Sequence, residues 1–212
     1  MNQKQKLMNY WIYSNIIKDE KVIAAFKKIK RENFMKPEHI KEAYGDYPLS
    51  IGEGQTISQP TTVMLMTEAL ELKEGYKVLE VGTGSGYQAA IISEIIGDKG
   101  KLISTEIIPE LAEFAKNNIK KSNIKNIEIV NQDGSKGYPI EAPYDRILVA
   151  AASPQIPKPL IKQLKKGGII IIPVGNLMEQ TMIKGIMKNN KLSEEKLGQF
   201  MFVPLKGKYG HD

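Results

Sequence analysis

The chain has 212 residues, enough for one large domain with a sizeable core, and its 42% hydrophobic and 25% charged residues are ordinary for a globular protein. Without cysteine it cannot form disulfides or thiolates, and two histidines are too few for a histidine-built hydrolase or metal site, so we predict no metal. The net charge of +6 resides in residues 1–41, which hold ten Lys or Arg and four Asp or Glu. This charge would suit nucleic acid, but the segment lacks arginine clusters and interleaved aromatic residues, which favours a solvated lysine-rich face.

Two features of the sequence bear on where the protein resides. No apolar run approaches the roughly 20 residues that a membrane span needs. Residues 1–6 are polar, and no signal-type apolar segment follows them. We therefore expect a cytoplasmic protein with no membrane partner, and we expect it to be a monomer.

The first 75 residues predict three helices and one long irregular stretch. Apolar residues recur on one face of the second helix, and Asp19 stands where it can cap that helix. Residues 33–57 contain several glycines and prolines and little periodicity, and such a stretch within a compact domain is often functional. The predicted helices cover residues 6–17, 20–31 and 60–72.

From residue 77 onward, strand and helix patterns alternate, which is typical of a doubly wound parallel sheet. The predicted strands are 77–81, 101–105, 127–130, 145–150 and 169–174, and the predicted helices are 86–96, one beginning at 109, and 158–164. Residues 180–188 and 196–205 predict an antiparallel pair. We therefore predict the α/β class, with a doubly wound, mostly parallel sheet in a single domain over residues 1–212. Within it, residues 1–75 would cover substrate and cofactor, and residues 76–212 would form the α/β core.

The most informative motif follows the first strand of this alternating region. Residues 78–86 read Val-Leu-Glu-Val-Gly-Thr-Gly-Ser-Gly, and glycines in such a loop let the backbone turn sharply and approach a ligand closely. The dinucleotide fingerprint needs its third glycine at position 87, which is Tyr87, so an NAD dehydrogenase is disfavoured. An acidic residue before three alternating glycines is instead the pattern of S-adenosylmethionine (SAM) sites. The residues of this predicted SAM loop are Glu80, Gly82, Thr83, Gly84 and Gly86.

Three acidic residues strengthen the prediction of a SAM site. A carboxylate on a buried strand, such as Glu80, is costly without a partner. The amino and sulfonium groups of SAM are cationic and would offset this cost, whereas the pyrophosphate of a dinucleotide is anionic and would be repelled. Glu106, twenty residues beyond Gly86, can accept hydrogen bonds from the ribose hydroxyls of either ligand. Asp133-Gly134 follows the third strand, where a carboxylate can accept from the adenine amino group, although Asp-Gly alone is more often a plain turn.

Six segments carry a resemblance to a known family. They are Gly54-Gln-Thr-Ile-Ser-Gln-Pro60, Glu80-Val-Gly-Thr-Gly-Ser-Gly-Tyr87, Tyr144-Asp-Arg-Ile-Leu-Val-Ala-Ala151, Leu164-Lys-Lys-Gly-Gly168, Ile172-Pro-Val-Gly175 and Phe202-Val-Pro-Leu205. In this order, which spans nearly the whole chain, they resemble the protein-L-isoaspartate O-methyltransferases. The glycine loop is shared by many methyltransferases, whereas the segment that ends at Pro60 is far more particular.

The resemblance implies a SAM-dependent methyltransferase (Rossmann-like) fold. It also implies methyl transfer from SAM to the free α-carboxyl of isoaspartyl residues in damaged proteins and peptides, which starts their repair. Ser58 is implied as the active-site residue. The residues implied to contact the cofactor are Gln55, Thr56, Ile57, Ser58, Glu80, Glu106, Asp133 and Gly134, and those implied near the substrate are Val149, Ala150 and Ala151.

Two positions depart from the family's pattern. Thr61-Thr62 stand where the family often has an aromatic residue or histidine, and Met201 stands where it often has arginine. Ser58 also has an alternative role as a helix cap, because it stands shortly before Pro60. Two other functions stay open: a methyltransferase that acts on tRNA or another nucleic acid, and a SAM-binding module without catalysis.

Overall fold

The computed structural model describes residues 1–211. The elements before the large sheet are α1 (Gln3–Tyr13), α2 (Glu20–Lys28), β1 (Leu49–Gly52), β2 (Gln55–Ile57) and α3 (Pro60–Ala69). The alternating region contains β3 (Lys77–Val81), α4 (Tyr87–Ile96), β4 (Lys101–Glu106), α5 (Pro109–Lys121), β5 (Ile127–Asn131), β6 (Tyr144–Val149) and α6 (Lys158–Lys162). The last strands are β7 (Leu164–Gly175), β8 (Gln180–Lys188) and β9 (Lys191–Phe200). None of the helices within residues 1–211 is long and apolar enough to cross a membrane.

The large sheet has seven strands in the order β5-β4-β3-β6-β7-β8-β9. Its first five strands are parallel, and β8 and β9 continue it in antiparallel fashion. The central strands β3 and β6 are almost wholly buried, as their apolar sequences require. Because β4 and β5 lie on one side of β3 and β6 lies on the other, the winding reverses there, and a crevice forms outside the carboxyl ends of the strands. The predicted doubly wound α/β fold is confirmed.

The N-terminal helices form a layer that holds the region before α3 in place. Helix α2 packs against α4, and the rings of Trp11 and Phe26 meet edge to face with centroids 4.6 Å apart. Trp11 Nε1 donates a hydrogen bond of 2.7 Å to Thr61 Oγ1, and the carboxylate of Asp46 accepts from the amide and hydroxyl of Thr61. Thr61, one of the two departures from the family's pattern, therefore connects α1 to the start of α3.

The stretch 33–57 is more regular than its sequence predicts. It contains the end of one short 3-10 helix (Arg31–Phe34), all of a second (Pro37–Glu42), and the hairpin of β1 and β2, in which Leu49 pairs with Ile57. Strands of four and three residues are too short to show the alternation of apolar and polar residues by which a strand is identified. This hairpin ends directly before Ser58.

The last strand lies earlier in the chain than predicted. Asn189 and Asn190 have φ values of 49° and 60° and form a tight hairpin turn, so pairing begins immediately at Lys191. The strand then ends at Phe200 instead of continuing to residue 205, and residues 201–205 leave the sheet. They return toward the end of β6, which brings them to the crevice described above.

Candidate active site

A cavity lies outside the carboxyl ends of β3 and β4. Its wall comes from the end of β2, the glycine loop, the residues after β4 and a segment beyond β9. The predicted site residues in the wall are Gln55, Thr56, Ile57, Ser58, Gly82, Thr83, Gly84, Glu106, Gly134, Ala150 and Ala151. Those outside the wall are Glu80, Gly86, Asp133 and Val149. Within residues 1–211, no three His, Asp or Glu side chains gather as they would around a metal ion.

The glycine loop enters this cavity on a backbone that glycine adopts far more readily than other residues. Gly82, Gly84 and Gly86 have φ values of 93°, 54° and 85°. The amide of Gly82 donates a hydrogen bond of 2.9 Å to the carbonyl of Thr105, which holds the loop against β4. A Cβ atom on Gly86 would make only an ordinary van der Waals contact with the Ile119 side chain, at 3.4 Å, so the positive φ and not a lack of space favours glycine there.

Glu80 lies beneath the loop and is fully buried. Its Oε2 accepts a hydrogen bond of 2.5 Å from Ser104 Oγ, and its Oε1 has no hydrogen-bond partner among the described residues. Burial raises the pKa of Glu80 to about 8; the Ser104 hydrogen bond opposes this rise, and nearby Glu106 adds to it. A buried carboxyl oxygen without a partner is costly, and a cation bound above the loop would favour the ionised form.

Glu106 ends β4 and reaches the wall of the cavity. Its Oε2 accepts from the Gly84 amide at 2.9 Å, and its Oε1 accepts from the Ile108 amide at 3.0 Å. Each oxygen keeps further acceptor capacity, so the carboxylate can bind two vicinal hydroxyls while the backbone fixes its orientation. With Glu80 below, this end of the cavity suits a ribose attached to cationic groups and disfavours a pyrophosphate. The donor and acceptor set therefore fits SAM.

Gly134 lines the cavity, whereas the carboxylate of Asp133 binds elsewhere. Its Oδ1 accepts from the amide and hydroxyl of Ser135, and its Oδ2 accepts from the amide of Lys208 at 3.0 Å. Burial alone would raise the pKa of Asp133, but these hydrogen bonds and Lys136 outweigh it and keep the pKa below its usual value. Asp133 thus fastens the C-terminal segment, and its contact with adenine stays a prediction.

The segment 203–211, which we name the C-terminal strap, contains no residue that we predicted from the sequence to belong to the site. Ala152 donates to the carbonyl of Val203 at 2.8 Å, and Leu205 donates to the carbonyl of Ala152 at 2.7 Å. These bonds hold the strap over the end of β6, and its residues 203–206 line the cavity. No periodicity marks such a strap, and its only signal in the sequence is the family resemblance of residues 202–205.

A second cavity adjoins the first. Its wall consists of Pro48, Thr56, Ser58, Gln59, Thr62, Ala150, Met201, Phe202 and Val203. None of these side chains is charged. Both cavities share Thr56, Ser58, Ala150 and Val203, so Ser58 lies at the boundary between them.

The structure does not support a capping role for Ser58. Helix α3 begins at Pro60, its N-cap residue is Gln59, and no side chain of the described residues caps it. Ser58 is half-buried and belongs to the walls of both cavities.

Comparison with known sequences identifies relatives along the whole chain. The family model described as protein-L-isoaspartate(D-aspartate) O-methyltransferase matches residues 2–210. The chain is 45% identical over 208 residues to the protein-L-isoaspartate O-methyltransferase of Methanoculleus marisnigri, covering 98% of this chain and 93% of that protein. It is 50% identical over 190 residues to protein-L-isoaspartate O-methyltransferase 2 of Archaeoglobus fulgidus, covering 90% of this chain and 87% of that protein.

Solved structures are similar as well. One protein-L-isoaspartate O-methyltransferase superposes with a TM-score of 0.89 at 32% identity, covering 97% of this chain and 67% of that one. A Plasmodium falciparum protein, provisionally given the same name and bound to S-adenosyl-L-homocysteine (SAH), superposes with a TM-score of 0.84 at 26% identity. That match covers 97% of this chain and 99% of the other. The chain therefore belongs to the protein-L-isoaspartate(D-aspartate) O-methyltransferase family.

Proposed function

We propose that the chain transfers a methyl group from SAM to the free α-carboxyl group of L-isoaspartyl residues in damaged proteins and peptides, which starts their repair. The observation that carries the proposal is the position of Ser58 at the boundary of two cavities. A side chain there can contact both a methyl donor in one cavity and an acceptor carboxylate in the other. A cytoplasmic location and a monomeric state, predicted from the sequence, form part of the proposal.

The first cavity would bind SAM through groups of three kinds. Glu106 would accept hydrogen bonds from the ribose hydroxyls, and the loop 82–84 would let the ligand approach the backbone closely. Glu80 would stabilise the cationic groups from below the loop. Residues 55–58 and the C-terminal strap would cover the ligand, since both line the same cavity.

Methyl transfer to a carboxylate requires the chain to position the reacting groups and requires no proton transfer. Bound SAM supplies a methyl group whose bond to sulfur breaks, with the electron pair left on sulfur, as a substrate carboxylate oxygen bonds to it, giving a methyl ester and SAH. The acceptor carboxyl is already ionised at neutral pH, so the chain needs no strong base. Ser58 is suited to donate its hydroxyl hydrogen to one carboxylate oxygen and so direct the other. Such positioning contributes about 7–11 kcal/mol in favourable cases.

The second cavity would receive the isoaspartyl segment. Its wall offers the hydroxyls of Thr56, Ser58 and Thr62 and the amide of Gln59, but no charged side chain. A nucleic acid would need cationic groups near its phosphates, so this wall favours a peptide over tRNA. Met201, where the family often has arginine, lies at the rim with 71% of its surface exposed.

Gly207→Ala is expected to loosen the C-terminal strap and to speed the dissociation of SAH. Gly207 has a φ of 116°, and a Cβ atom there would lie 2.1 Å from Asp133 Oδ1, so alanine would push the strap off its anchor. Stopped-flow dissociation of SAH measures the effect. Gly167→Ala is the matched control, because Gly167 also has a positive φ, 76°, but faces open space. Equal dissociation rates in the wild type and Gly207→Ala would show that the strap does not retain the ligand.

The direct test of the proposed function is the transfer of a radiolabelled methyl group from SAM to an isoaspartyl peptide. The matched control is the same peptide with ordinary aspartate, in which the carboxyl group belongs to the side chain. We expect a base-labile methyl ester on the isoaspartyl peptide, and label on neither the control peptide nor tRNA. Saturable SAM binding without transfer to the isoaspartyl peptide would contradict the proposal and favour a binding module.

A further inference from the structure

Arg31 is a buried cation that the proposed chemistry does not use. It begins the 3-10 helix Arg31–Phe34, and its side chain is fully buried. Its Nη1 donates a hydrogen bond of 2.8 Å to the backbone carbonyl of Ser58. Within residues 1–211, its Nε and Nη2 have no hydrogen-bond partner. The residue that accepts the hydrogen bond of this guanidinium is therefore the one at the boundary of the two cavities.

The stability of the fold does not by itself explain why a charged residue is buried at position 31. Burial lowers the pKa of Arg31 to about 10, so the group is still charged at neutral pH. The carboxylate of Asp46 is near enough to favour that charge, but it binds Thr61. A buried charge without an ion-pair partner is costly, and replacing buried charged groups by apolar ones is often neutral or stabilising. A costly group that contacts the active-site residue is better explained by function.

A second contact connects Arg31 with the first cavity, which we propose binds SAM and call the cofactor cavity. Its guanidinium carbon lies 5.2 Å from the centroid of the Tyr87 ring, within the range of a cation–π interaction. Tyr87 is the first residue of α4 and lines the cofactor cavity. The guanidinium thus contacts both the backbone of Ser58 and the start of α4, and its planar shape suits it to both contacts.

We propose that Arg31 is a positioning residue that holds the backbone of Ser58, so that the serine hydroxyl stays at the boundary of the two cavities. The inference rests on the proposed role of Ser58 in methyl transfer. The carbonyl that Arg31 binds belongs to the planar peptide unit after Ser58, so the bond restrains the backbone from which the side chain projects. A displacement of about 1 Å in a reacting group can cost about 100-fold in rate.

The test is a double-mutant cycle with Arg31→Lys and Ser58→Ala. Lysine keeps the charge but lacks the planar fork. Arg31→Lys is expected to lower kcat for an isoaspartyl peptide about 10- to 100-fold, with little change in the Kd of SAH. Hydrogen–deuterium exchange of residues 55–59 should become faster in this variant. The double variant should be no slower than Ser58→Ala alone, because Arg31 acts through Ser58.

Arg146→Lys is the matched control for burial. Arg146 is also buried but lines neither cavity. Its side chain donates to the backbone carbonyls of Leu70, Asp145 and Glu71. This variant should lower the Tm while leaving kcat and the exchange of residues 55–59 unchanged.

Two results would overturn the inference about Arg31. In the first, the fold losses in kcat of Arg31→Lys and Ser58→Ala multiply in the double variant. In the second, hydrogen–deuterium exchange of residues 55–59 is unchanged in Arg31→Lys. A wild-type protein that methylates no isoaspartyl peptide would instead refute the proposed function. Exchange would then still report whether Arg31 holds the backbone of Ser58, so the two failures are distinguishable.

Discussion

Ser58→Ala is expected to lower kcat for an isoaspartyl peptide about 100-fold, because the hydroxyl that we propose orients the acceptor carboxylate is lost. The Kd of SAH should change little, since Ser58 is one of many residues in the wall of the cofactor cavity. Steady-state kinetics with the isoaspartyl peptide and calorimetric titration with SAH measure the two quantities separately.

Ser50→Ala is the matched control for this prediction. Ser50 lies on β1 of the same hairpin, is exposed, and lines neither cavity. Its substitution should leave both kcat and the Kd of SAH near the wild-type values. If Ser58→Ala weakens SAH binding as much as it lowers kcat, Ser58 shapes the cofactor site rather than positioning the substrate.

Glu80→Gln is expected to remove a pH dependence of stability from the protein without cofactor. The folded-state pKa of Glu80 is raised from 4.5 to about 8, so between these values the folded protein retains a proton that the unfolded chain has released. The wild type should therefore lose stability as pH rises through this range, by at most about 1.4 kcal/mol per pH unit from this group. Thermal unfolding from pH 5 to pH 8.5 measures the slope, which should be flatter in Glu80→Gln.

Glu80 is also expected to make the binding of SAH depend on pH. If the cationic amino group of SAH favours ionised Glu80, binding releases a proton, and affinity should rise with pH up to about 8. This rise should disappear in Glu80→Gln. Glu128→Gln, which changes a half-exposed carboxylate on β5, is the control and should keep the wild-type slope. Equal pH slopes in the wild type and Glu80→Gln would mean that Glu80 does not sense the ligand.

The sheet and the glycine loop were predictable because both depend on local patterns. Strands β3 and β6 are short, mostly apolar segments, and glycine at positions 82, 84 and 86 permits the positive φ values that the loop adopts. Glu106 was predictable for a related reason, since the end of β4 meets the loop at the same edge of a parallel sheet.

The rest of the site depends on contacts between residues far apart in the chain. Asp133 binds the amide of Lys208, 75 residues later, and no sequence pattern distinguishes that contact from a predicted contact with adenine. Arg31 lies within the lysine-rich segment 1–41, whose composition predicts a solvated face, yet tertiary packing buries it completely. The hairpin before Ser58 is too short to produce a periodic signal. Only the family resemblance pointed to Ser58, and the structure adds its place between two cavities.

The most direct test of the account is a crystal structure of the protein with SAH and an isoaspartyl peptide. We predict SAH in the cavity of Glu106 and the glycine loop, the peptide in the adjoining uncharged cavity, and one oxygen of the free α-carboxylate within hydrogen-bond distance of Ser58 Oγ. The other oxygen should face the sulfur of SAH. A peptide bound elsewhere, or a carboxylate that does not contact Ser58, would contradict the claim that Ser58 joins the two cavities into one active site.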